Sequence, residues 1–171
     1  GLVKIGGVIL TTDAPKKLVL RGIGPSLAEA GVGQALEDPT LDLVNSSGAV
    51  IASNDDWRTG GEDLIPLGLA PTDDRESALV ATLPQGTYSA IVRGKAGTGG
   101  VALVEIYDLD MNNGRVANIS PRARVEPGDK VMIGGFILAG TNPSPGVARH
   151  RGPSLAHSVA SAPEFDAVLA F

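Results

Sequence analysis

The side chains best placed to do chemistry are oxygen donors in short runs. Asn54, Asp55 and Asp56 are consecutive, Asp73, Asp74 and Glu76 form a second group, and 108–114 reads DLDMNNG. Hard cations such as calcium take six to eight oxygens from closely spaced carboxylates and carbonyls. Asp55, Asp56, Asp73 and Asp74 are therefore the candidate calcium ligands, brought together if 62–69 folds back on the chain. The 108–114 run departs from an EF-hand loop, because its Gly falls one place late and no Glu occupies the twelfth place. The plain alternative for all three groups is that Asx-rich loops bond their own backbone. Beyond calcium, no cofactor is expected.

Other patterns carry less chemistry. Trp57, the one tryptophan, is the candidate ligand-binding aromatic, and a loop anchor is its alternative. Gly22-x-Gly24 follows an apolar run as a phosphate-cradling turn would, but Pro25 comes next and no strand–helix–strand unit surrounds it. Ser154 and His157 stand three residues apart without a nucleophile-elbow pattern. The Gly-rich stretch 95–100 lacks the Gly-Lys-Ser/Thr ending of a P-loop and reads as a hairpin loop. No catalytic residue is assigned, and no enzymatic activity is expected.

Composition narrows the classes further. A net charge of −5 leaves no basic stripe to neutralise phosphates, so no nucleic-acid partner is expected. Cysteine is absent, which excludes disulfides and thiolate metal sites. No stretch approaches the roughly 18 apolar residues of a membrane span. No initiator Met and no signal peptide open the chain, which reads as a processed product or a window from a longer protein.

The elements that must position these residues read as strands. Apolar runs at 3–11, 18–23, 41–44, 49–52, 78–83, 87–93, 101–107, 115–120 and 130–138 are separated by turn chemistry such as Asn45-Ser46-Ser47-Gly48 and Pro84-Gln85-Gly86. Helical signal is confined to short stretches at 26–30 and 62–69. The expected fold is all-β, an antiparallel β-sandwich of jelly-roll or immunoglobulin-like type.

A long internal repeat organises the chain. Residues 3–28 recur at 131–156 at a constant offset of 128, with 14 of 26 positions identical. Asp38 and Leu41 still match Asp166 and Leu169. A repeat of this period is a whole domain rather than a solenoid unit of about 20–50 residues. The expected division is a sandwich at 1–128 and the beginning of a second copy at 129–171.

Two blocks carry a resemblance. LDLVNSSGAVIASNDDW, ESALVATLPQGTYSAIVRG and VALVEIYDL together resemble the bacterial pre-peptidase C-terminal domain, over about 40–109. The Arg-x-x-Gly-Pro-Ser-Leu corner at 21–27 looks like tandem modules of exported bacterial proteins. The resemblance implies a β-sandwich and an extracellular or cell-surface location. It implies no reaction.

The functional expectation is a structural module of an extracellular assembly, with a head-to-tail filament as its sharpest form. The expected partners are other copies of the module. The assembly surface would be Val131, Ile133, Phe136, Ile137 and Leu138 of the repeated strand, the corner residue Arg149, and Phe165, Leu169 and Phe171 of the tail, whose apolar side chains need a partner. The alternative is an accessory adhesion domain that binds calcium or a polysaccharide through Asp55, Asp56 and Trp57.

Overall fold

The computed structural model describes residues 4–11, 13–110, 116–122, 147–150 and 167–170. The chain divides into two units, Gly1–Arg124 and Val125–Phe171. In the first unit the apolar runs form β1 (Lys4–Leu10), β2 (Lys16–Ile23), β3 (Pro39–Asn45), β4 (Val50–Asn54), β5 (Ser77–Leu83), β6 (Gly86–Gly94), β7 (Leu103–Asp108) and β8 (Val116–Arg122). One short helix, α1 (Pro25–Glu29), opens on Pro25, whose fixed φ suits a first helical turn. The second unit contains β9 (Val147–His150) and β10 (Ala167–Ala170).

The first unit is an antiparallel sandwich, as the strand pattern predicts. One sheet has the order β4-β3-β6-β1-β8 and the other β5-β2-β7. Val8 and Leu10 of β1, Leu18 and Leu20 of β2, Leu41 and Leu43 of β3, and Tyr88, Ala90 and Val92 of β6 meet in the core between the sheets. Alternation along β3 and β6 turns every second residue inward, which is the period-2 rule of a half-buried strand. Strand β2 departs from that rule because both of its faces are covered. Its outer face carries Val19, which packs with Trp57, Leu64 and Ala78 beneath the long β4–β5 connection. Hence its near-continuous apolar run.

Turn chemistry closes one pair of neighbours and not another. Asn45 Oδ1 accepts from Ser47 N, Ser47 Oγ and Ala49 N, and Gly48 takes φ 83°, so β3 and β4 close as a hairpin. The Pro84–Gly86 turn instead carries the chain from one sheet to the other, and Tyr88 Oη donates to Pro84 O across it (3.1 Å). The 95–100 stretch also joins strands of different sheets and is not a hairpin loop. The short helical stretch expected at 62–69 is a 3₁₀ turn at Glu62–Leu64.

The second unit repeats the sequence but not the pairing. Strands β9 and β10 form a two-stranded antiparallel sheet, with Arg149 opposite Val168 and Ala148 opposite Leu169. By the repeat offset they correspond to 19–22 of β2 and 39–42 of β3. In the first unit those strands lie in different sheets.

Candidate functional site

Antiparallel pairing of β3 with β4 brings the start of one strand beside the end of the other, since Leu41 faces Asn54. Asp38, just before β3, therefore meets Asp55 and Asp56, just after β4. One carboxylate oxygen from each lies within 4.8 Å of the others. Pro39 faces Gly94 across the β3–β6 ladder, which delivers Lys95 to the same place. Lys95 N donates to Asp38 O (2.9 Å), and its Nζ lies 2.7 Å from Asp55 Oδ2 and 3.5 Å from Asp38 Oδ2. The Asp55 hydrogen bond, more than any other contact, raises the Lys95 pKa. Asp38 Oδ1 and Asp55 Oδ1 are buried oxygens with no hydrogen-bond partner. Three carboxylates against one ammonium are suited to a hard cation, with Lys95 as its built-in competitor.

The remaining expected ligands are committed elsewhere. Asp73 accepts from Arg75 Nη2 (2.8 Å) and Nε (3.0 Å), and this pairing holds its carboxyl below the usual range. Arg58 Nε bonds Asp74. Neither residue belongs to the group formed by Asp38, Asp55 and Asp56. The 57–76 connection does fold back, but arginines bind Asp73 and Asp74.

Trp57 is a loop anchor rather than an exposed platform. It is 3% exposed, its backbone N donates to Glu76 O (2.8 Å), and its Nε1 donates to Asp73 O (3.1 Å). The Arg58 guanidinium sits 4.5 Å over the ring. With both the indole N–H and the ring engaged, no free face remains for a sugar to stack on.

Other polar residues of the sequence reading hold the sandwich together. Arg21 Nη1 donates to Leu69 O (2.8 Å) and its Nε to Glu105 Oε2 (2.7 Å), tying the β4–β5 connection to β7. Asp108 of the third acidic run accepts from the wholly buried Lys16 (2.6 Å), and Asp110 accepts from Lys17 N (2.6 Å). Glu76 Oε1 accepts from Gly24 N, Ser26 N and Ser26 Oγ, so a carboxylate from far along the chain satisfies the Gly-Pro-Ser corner.

Sequence reasoning missed Asp38, Lys95, Lys16 and the role of Glu76. For Asp38 a signal existed, because it recurs as Asp166. For Lys95 none did, since only the β3–β6 register brings it to Asp38.

The expected assembly residues fall in the second copy. Val131, Ile133, Phe136, Ile137, Leu138, Phe165 and Phe171 lie outside the described residues. Arg149 lies in β9 and Leu169 in β10. A further surface appears on the first unit. The edge strands β4 and β5 carry no charged residue, and Val50 and Ile51 are 56% and 45% exposed. A groove of about 440 Å³ lined by Ile51, Ala81, Leu83 and Tyr88 runs beside them. Edges left without charge are templates for another strand. Among the described residues, no helix is long and apolar enough to cross a membrane.

Comparison with family models, with curated proteins and with solved structures finds no match to this chain.

Proposed function

We propose that the chain is a non-enzymatic structural module of an extracellular or cell-surface assembly. Its copies join head-to-tail by strand pairing through the C-terminal repeat copy, with a filament as the extended form. The pairing of β9 with β10 carries this reading. Their counterparts β2 and β3 each have two sheet neighbours in the first unit. Among the described residues, β9 and β10 have only each other as sheet neighbours. A two-stranded sheet is marginal in water, and strands of another copy would extend it.

Calcium binding is the second reading, and the unpartnered oxygens of Asp38 and Asp55 favour it. The polysaccharide variant loses its aromatic, because Trp57 is buried. Negative-stain microscopy of the purified chain, in chelator and in calcium, separates the readings. Regular fibres in chelator are the expected outcome of strand-paired assembly. Single particles in both conditions sink that reading, and fibres in calcium alone make the Asp38–Asp55–Asp56 group the functional site.

A further inference from the structure

Strand β1 fills a slot between β6 and β8, and its residues define what that slot accepts. Val8 and Leu10 are buried in the inter-sheet core. At Gly6 a Cβ would stand 2.9 Å from Val104 Cγ1 on the facing sheet, so this place takes glycine. The sequence VMIGGFIL at 131–138 keeps most of that pattern. Ile133, Gly134, Gly135, Ile137 and Leu138 stand for Ile5, Gly6, Gly7, Ile9 and Leu10, while Met132 replaces Lys4 and Phe136 replaces Val8.

The inner face of β2 is not kept in the same way. Leu18 and Leu20, wholly buried, become Gly146 and Ala148. Gly22, where a Cβ would stand 2.7 Å from Ser77 Oγ and 2.9 Å from Val92 Cγ2, becomes His150. Only Val19 and Arg21 of β2 recur, as Val147 and Arg149, and both belong to the outer face. The second copy thus preserves a first strand fit for the β1 slot. It does not preserve the second strand that would build an equivalent core.

We infer that residues 131–138 of one chain complement the β1 slot of a second copy of this chain, between its β6 and β8, and release that copy's residues 4–10. This inference rests on the head-to-tail reading and names its donor and acceptor. Exchange of near-identical strands restores the same backbone ladder, which makes it a low-cost route to association. The donor carries no charge, and its greater apolar content relative to residues 4–10 favours it for burial. Phe136 is the one misfit, since the enclosed Val8 site must take a larger ring.

The chain has no cysteine, so an engineered disulfide reads the arrangement directly. Ile9 faces Asn118 across the β1–β8 ladder, and Ile137 occupies the Ile9 place when the donor is seated. Facing strand residues fall within the Cα spacing that a disulfide spans. The full chain with Asn118→Cys and Ile137→Cys is oxidised and run on a non-reducing gel. The expected result is a ladder of covalent oligomers that disappears when Gly134→Val is added. Phe136→Val is expected to lower the concentration at which the ladder forms, whereas pairing on an exposed edge predicts the opposite sign. The Asn118→Cys, Ile9→Cys chain reports that the fold tolerates the cysteines by closing within one chain.

Disulfides confined to single chains overturn the inference, since residues 131–138 then fill their own slot. Assembly seen by light scattering without the ladder, or a ladder indifferent to Gly134→Val, also overturns it and leaves the head-to-tail reading standing. A parent chain that stays monomeric at every concentration overturns both.

Discussion

Residues 3–28 supply β1 to one sheet and β2 to the other, whereas their repeat at 131–156 contains β9, which among the described residues pairs with β10. The two copies share 14 of 26 residues, but the inner face of β2 is not among the shared places, so sequence and surroundings both differ. In the first copy β2 sits between β5 and β7, and the Gly-Pro-Ser corner receives Glu76 from just before β5. A strand is stabilised by its ladder neighbours and by the side chains across the core, so related sequences with different partners need not pair alike.

Separating the two units breaks this comparison most severely. Residues 1–124 alone are expected to melt cooperatively, and residues 125–171 alone to show no cooperative transition, since the sheet among its described residues has two strands and such a sheet is marginal. Circular dichroism during heating measures both. A cooperative transition in the shorter piece would show that the second copy finds a core of its own.

Writing a second-copy residue into the first sharpens the contrast at smaller scale. Leu20→Ala installs the residue found at 148 and empties a site buried between the sheets. The expected loss is about 2–5 kcal/mol in denaturant unfolding. The reverse change, Ala148→Leu, is expected to leave the unfolding of the first unit unaltered.

The smallest effect is in pH dependence. Pairing with Asp55 raises the Lys95 pKa, so its contribution is full below the ordinary lysine value near 10.4 and is lost as pH rises through the folded value. Asp73, held low by Arg75, has the opposite sign. Its contribution is present above the ordinary aspartate value near 3.9 and is lost as pH falls through the folded one. Both groups are largely solvated, so slight slopes at the two ends of a melting-temperature profile are expected. Lys95→Met should flatten only the alkaline end.

Much of the fold was legible because strands alternate. The runs at 41–44 and 87–93 turn every second residue inward, and Asn45–Gly48 announces its hairpin. Sheet membership was not legible. The Pro84–Gly86 turn has the composition of a hairpin, yet it carries the chain between sheets because β5 pairs with β2, which lies far back in sequence. The acidic site was half legible. Asp55 and Asp56 announced themselves as neighbours in sequence, whereas Asp38 and Lys95 joined them through the ladders of β3. Asp73 and Asp74 were equally conspicuous, and the nearby Arg58 and Arg75 claimed them.

The sequence by itself determined an all-β chain, its turns, its repeat, and the absence of thiol chemistry, because these follow from local propensity and composition. Tertiary structure alone decided that Trp57 is buried, that Lys16 lies wholly enclosed against Asp108, and that Glu76 serves the Gly-Pro-Ser corner. Each of these depends on residues far apart in the chain. Their contacts are set by strand order and register, which no local pattern encodes.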